Sequence, residues 1–140
     1  DDIELAVIAD NVLWKDRVQH SVVLKEFVVI TGKNVTPTAT VTIEMDGKKN
    51  TVSQVGLGPV DAAMSAIRDA VNGNVSLEEL RLDAITGGSD SICEVSVLVK
   101  DAKGDGSISA GKAVGLDIVN TSVDAIMEAI NRDHSRRKSQ

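Results

Sequence analysis

In "QVGLGPVDAAMSAI" (54–67), two glycines lead into a proline, an acid and an alanine-rich apolar run. Pro59 suits the first position of a helix, where its missing N–H is not needed and its φ is already set. That makes Gly58 the cap and leaves the amides of residues 60–62 pointing out of the helix end, a small anion site with partial positive charge. Gly56 and Gly58 allow the backbone to be approached closely. A phosphate loop would need more glycines and a Lys before Ser or Thr, which this stretch lacks, so a single carboxylate fits better in size and charge. A second helix start, in "GKAVGLDIVNTS" (111–122), offers a similar end, with Asp117 placed either to cap it or to face a ligand amine. Two such ends in an aliphatic surround suit one small apolar amino acid. The competing reading takes the same residues as turns and caps that only shape the fold, and spacing by itself favours it.

Other chemistry is sparse. Of the two histidines, His20 falls in a linker and His134 in a polar tail, neither at ligand spacing from Cys or carboxylates, so exposed surface histidines are expected rather than a metal site. Cys93 lies within a strand pattern and is expected to be a buried small hydrophobe. No Ser stands in a nucleophile-elbow motif. "DAKGDGSISAGK" (101–112) imitates a calcium loop, but Lys103 takes the third ligand position and Lys112 the place of the bidentate Glu, so a hairpin turn is expected. The basic end "RRKSQ" (136–140) reads as a solvated tail after a helix.

The 140 residues make about one domain, and a hydrophobic fraction of 42% supports a core. That core must be aliphatic, since Trp14 and Phe27 are the only aromatics, and a ligand pocket cannot rely on stacking. A net charge of −6 argues against nucleic acid as a partner. A single cysteine excludes an internal disulfide and suits a reducing, cytoplasmic setting. No apolar run reaches the roughly 18 residues of a membrane span. With acids at its start and no initiating Met, the chain is expected to be cut from something longer.

The elements that must position the glycine motifs come in two sets. Residues 3–13 read as a short amphipathic helix and 14–21 as a linker. "VVLKEFVVI" (22–30), "TATVTIEM" (38–45) and "NTVSQV" (50–55) read as strands, the last two joined by an Asp46-Gly47 hairpin turn. A helix over about 59–72 ends at Gly73. Strands over 77–86, 91–100 and 107–114 and a helix over about 116–132 repeat the pattern. "VDAAMSAI" (60–67) matches "VDAIMEAI" (123–130), and Gly32 precedes Ala39, Val41 and Ile43 as Gly88 precedes Val95, Val97 and Val99. The helix match is offset by seven more residues than the strand match, which reads as an insertion in the second unit. The fold class is α+β: two strand-strand-strand-helix units with helices packed on antiparallel sheet.

"GLGPVDAAMSAIRDA" (56–70), "DAITGGSDSICEVSV" (83–97) and "GLDIVNTSVDAIMEAIN" (115–131) together resemble the C-terminal regulatory domain of the 2-isopropylmalate synthase family, which includes the citramalate synthases. The likeness runs from about Val23 to Asn131, and "IADNVL" (8–13) is similar to the end of the family's linker subdomain. The resemblance implies three segments: the end of that linker subdomain over 1–21, the regulatory domain over 22–132 and a polar tail over 133–140. It implies a homodimer whose feedback effector, leucine or isoleucine, binds at the helix-start motifs near the dimer interface. Carried over, the effector-site residues are Gly56, Leu57, Gly58, Val60, Asp61 and Ala62, with Asp117 and Ile118 and, less directly, Ala84 and Thr86. The family carries a glycine where Ala113 stands and Ser-Thr where Gly115-Leu116 stand. Its catalytic barrel holds a divalent metal through a His-x-His pair and carboxylates, and this sequence contains no such pair, so no cofactor and no catalytic residue are expected here. The parent would be an acyltransferase condensing acetyl-CoA with a 2-oxo acid. A dimerisation module without a ligand is the alternative.

Overall fold

The computed structural model describes residues 21–73, 75–84 and 92–138. The helix expected over 3–13 and nearly all of the linker, with Trp14 and His20, lie outside the described residues. The first unit consists of β1 (Val22–Ile30), β2 (Thr38–Met45), β3 (Lys48–Val55) and α1 (Pro59–Ala70). The second consists of β4 (Val75–Ala84), β5 (Cys93–Asp101), β6 (Ile108–Gly115) and α2 (Ile118–Lys138). Each unit folds its strands into an antiparallel three-stranded sheet, in the orders β1-β2-β3 and β4-β5-β6. The α+β class and the repeated unit are as the sequence pattern predicts.

Alternation decides which face of each sheet is covered. Ala39, Val41 and Ile43 of β2 are buried, while Thr40 and Thr42 turn to the opposite face, where their hydroxyls meet Ser53 (2.6 Å) and Thr51 (2.8 Å). Val95, Val97 and Val99 of β5 are buried in the same way. α1 packs on β2 and β3, α2 packs on β5 and β6, and the two helices touch. One continuous aliphatic core results, in which Met64, Ile67, Ile126 and Ile130 are the large helix contributions. The β2–β3 turn is the expected two-residue one: Asp46 (φ 53°) and Gly47 (φ 80°) both take positive φ, which matches the twist of the strands they join. β1 and β4 each carry one register irregularity at corresponding places, between Leu24 and Glu26 and between Leu77 and Glu79. Among the described residues, no helix is long and apolar enough to cross a membrane.

Three expectations need correction. The second unit does not hold seven extra residues. Loop 102–106, closed by the Asp101 N–H bond to the Ser107 carbonyl, replaces Asp46-Gly47 and adds only three. The other four are one helical turn, by which the matching sequence of α2 is displaced along its axis without changing face. Ala62, Met64, Ala66 and Ile67 of α1 correspond by position to Thr121, Val123, Ala125 and Ile126 of α2, and all eight are buried. Second, α2 does not stop near Arg132 but runs to Lys138, through most of the expected polar tail. Asp133, 0% exposed, accepts hydrogen bonds from Arg136 and Arg137, the i,i+3 and i,i+4 pairs of a helix surface. Third, His134 is not a surface histidine. It is buried, and its Nε2 lies 3.4 Å from Asp46 Oδ1 in the turn of the first unit.

Candidate functional site

The chain leaves β3 at Val55 and turns into α1 within four residues. Gly56 donates its N–H to the Pro37 carbonyl (3.0 Å), and a Cβ there would stand 2.4 Å from the Ala62 nitrogen, so only glycine lets the strand end lie against the helix backbone. Gly58 is the N-cap, as expected, but in extended backbone (φ −154°, ψ 177°), and nothing lies within 4 Å of the position its Cβ would take. No side chain caps α1. The set of free amides is smaller than spacing suggests: Ala62 donates to the Gly58 carbonyl (2.9 Å), which leaves Val60 and Asp61 as the outward N–H groups of the first turn. Asp61 turns back over the helix start, where its Oδ2 accepts the Leu57 N–H (2.8 Å). One exposed helix end thus presents two outward amides, the positive pole of the helix and a carboxylate beside them. Leu57 stands 98% exposed next to this group.

The second helix start has the same outline with different fittings. Gly115 ends β6, and its carbonyl accepts a contact from Cys93 Sγ (3.2 Å) at the buried start of β5. Asp117 takes the capping role: its Oδ1 accepts the Asn120 N–H (2.9 Å), and its carbonyl accepts the Thr121 N–H (2.9 Å). Leu116 and Ile118 are exposed beside it. Leu116 went unrecognised in the sequence, although it occupies the same place after a glycine as Leu57.

Of the ten carried-over residues, Gly56, Leu57, Gly58, Val60, Asp61 and Ala62 therefore surround one helix start, and Asp117 and Ile118 belong to the other. Ala84 closes β4, and Thr86 lies outside the described residues. Among the described residues, no group of three or more His, Cys, Asp or Glu is placed to hold a metal ion, and no catalytic step is assigned to them. In the loop that imitates a calcium site, Asp101 Oδ1 accepts the Gly104 N–H and Asp105 Oδ1 the Ser107 N–H (both 2.9 Å). The Ser107 hydrogen bonds hold the exposed Asp105 carboxyl below its usual range.

The chain is similar to synthases of two names. A 2-isopropylmalate synthase of Methanocaldococcus jannaschii is 37% identical over 139 residues, covering 98% of this chain and 26% of that protein. A protein of Archaeoglobus fulgidus provisionally named as 2-isopropylmalate synthase is 40% identical over 131 residues, covering 93% of this chain and 26% of its own length. A Methanosarcina mazei protein provisionally named as (R)-citramalate synthase is 42% identical over 137 residues, covering 94% and 27%. The chain therefore spans about a quarter of the length of the curated relatives it matches. The family model described as the LeuA allosteric (dimerisation) domain matches residues 1–134, nearly the whole sequence, and the chain belongs to that family.

Proposed function

We propose that this domain binds leucine as the feedback effector of a cytoplasmic 2-isopropylmalate synthase, in which it forms a homodimer and regulates the catalytic barrel of the same chain. That parent condenses acetyl-CoA with 2-oxoisovalerate, with a divalent metal in its barrel. The observation that carries this reading is the α1 start. Outward amides of Val60 and Asp61 favour a carboxylate, and the Asp61 carboxylate beside them favours an ammonium. A zwitterion satisfies both, whereas a simple anion meets the Asp61 charge. The flanking side chains are aliphatic, Leu57 exposed and Val60 partly buried against the core, so a branched aliphatic side chain is preferred to an aromatic one.

A citramalate synthase parent, with isoleucine as effector, is the second reading. It is favoured by relatives of both names at similar identity. The two effectors differ in the position of one methyl, a difference that hydrophobic pockets resolve by about 1–3 kcal/mol.

Gly58→Val in the full-length synthase tests the site. The extended backbone accepts Val without strain, and its methyls enter the open space in front of the amides. The expected outcome is an enzyme that keeps its activity and ignores leucine and isoleucine, since an effector that cannot bind cannot bias two states. Full retention of sensitivity would overturn the placement. Loss of both activity and solubility would favour the reading in which the motif only turns the chain.

A further inference from the structure

We propose that Asn131 is the positioning residue that couples the effector-binding helix start to the polypeptide entering the domain. This rests on the effector reading above. α2 is a single helix from Ile118 to Lys138 that touches α1, so a displacement of α1 by an effector at its start is passed to α2 and along its axis. Four turns on, Asn131 grips the first residue of β1. Its Oδ1 accepts the Val22 N–H (2.9 Å), and its Nδ2 donates to the Val22 carbonyl (2.8 Å). β1 is an edge strand, and these bonds leave on the side away from β2, so one side chain does for Val22 what a neighbouring strand would do.

The grip is fixed and selective. A third bond, from Nδ2 to the Met127 carbonyl (3.0 Å), holds the Asn131 rotamer, and the residue is 2% exposed. Both amide groups are used, so neither Asp nor Leu can replace the pair of bonds. α1 has nothing comparable: its corresponding residue is Asn72, past the helix end and at positive φ (73°). The contact borders an open cleft of about 300 Å3 lined by Val22, Leu24, Asp124, Met127 and Glu128, which leaves space beside the strand end. Everything N-terminal to the domain must pass through Val22. Hence a displacement of α2 reaches the preceding chain by way of the Asn131 amide.

The test uses the full-length synthase with leucine, and with isoleucine in parallel. Asn131→Leu keeps the shape and removes both bonds to Val22. Calorimetry is expected to give an effector dissociation constant within about threefold of the parent, with activity in the absence of effector unchanged. The half-inhibitory concentration is expected to rise at least tenfold, within the roughly 5–150-fold span of ordinary allosteric coupling. Arg136→Gln, which disturbs the same end of α2 without touching Val22, is expected to stay sensitive. A feedback response in Asn131→Leu equal to the parent's overturns the proposal, as does parallel loss of binding and inhibition. If the variant does not fold, hydrogen exchange of the parent decides: saturating effector should change the exchange rate of the Val22 amide by threefold or more, and no change overturns the proposal. Failure of the parent to bind either amino acid would instead sink the effector reading itself.

Discussion

The two units of this domain share a core and differ at the ends of their helices. Gly56 directly follows β3 and Gly115 ends β6, and each abuts the helix residue six positions on, Ala62 and Thr121. Inside, small and aliphatic residues fill the same positions in both. At the helix start, α1 is uncapped at Gly58 while α2 carries its own cap in Asp117. At the far end, α1 stops after 12 residues, while α2 runs for 21 and crosses to the first unit through Asn131–Val22 and His134–Asp46. A duplicated core tolerates little change, because each buried residue touches several others. Helix ends are where a unit can diverge without repacking: the feature proposed for binding lies at the start of α1, and Asn131 lies in the stretch by which α2 outruns α1.

The sharpest difference inside the core gives the largest expected effect. Gly111 in β6 faces α2 so closely that a Cβ would stand 2.0 Å from the Ala125 carbonyl oxygen and 2.6 Å from the Ala129 nitrogen. The corresponding position of the first unit holds Val52, partly buried against the core. α2 therefore lies nearer its sheet than α1 does. Gly111→Val would have to push a helix backbone, not a side chain, away from a strand. Overpacking of a well-packed core costs about 1–3 kcal/mol or more, and this substitution should exceed the upper figure and cost the domain its cooperative unfolding transition in urea. The reciprocal Val52→Gly should cost about 1–3 kcal/mol through lost burial and backbone freedom, and leave a folded domain. Similar losses from the two would mean that the units pack alike after all.

Gly56 and Gly115 sharpen the comparison at a smaller scale. A methyl on Gly56 meets the helix backbone at Ala62, while one on Gly115 meets the Thr121 hydroxyl at 2.4 Å and its Cβ only at 3.6 Å. A side-chain oxygen can be removed, and a backbone nitrogen cannot. Gly56→Ala is expected to cost about 2–3 kcal/mol and Gly115→Ala about 1 kcal/mol. Adding Thr121→Ala to Gly115→Ala should recover most of the loss, an interaction energy of about 0.5–1 kcal/mol in a double-mutant cycle. Additive behaviour at Gly115 and Thr121 would show that the contact is relieved in another way.

Much of this was legible beforehand. Period-two alternation placed β2 at 38–45, and the Asp-Gly pair placed the hairpin turn, because both are local rules obeyed locally. "GLGPVDA" gave the α1 start and its cap. Other features depend on what lies across the fold. The repeat was misaligned by one turn because a four-residue shift along a helix keeps the same face buried. "DHSRRK" reads as a polar tail until the turn at Asp46 is placed beside His134; the spacing of Asp133 to Arg136 and Arg137 was the one available sign of helix. Asn131 carried no sign at all, since its role depends on Val22, 109 residues earlier in the chain. The number of free amides at α1 needed the position of the Gly58 carbonyl.

The smallest expected change in stability comes from exchanging the two helix caps, and it bears most directly on the difference between the helix starts. Gly58→Asp gives α1 the cap that α2 already has. The backbone at Gly58 is extended, as an N-cap requires, and the space around its Cβ position is open, so an Asp carboxylate can reach the Asp61 N–H as Asp117 reaches that of Asn120. Because Gly is itself a tolerable N-cap, the gain should be only a few tenths of a kcal/mol, and Asp117→Gly should lose about as much. The consequences for the ligand are expected to be unequal. At Gly58 the new carboxylate takes an amide assigned to the effector and adds a negative charge beside Asp61, so leucine affinity should fall tenfold or more. At Asp117 the substitution bares amides that the cap now occupies, and affinity should change by less than about threefold, within roughly 0.7 kcal/mol. Thermal unfolding and calorimetric titration of the same three proteins would measure both quantities. Equal losses of affinity at Gly58 and Asp117 would mean that the two helix starts bind the effector as equivalent halves. No loss at either would remove both from the site.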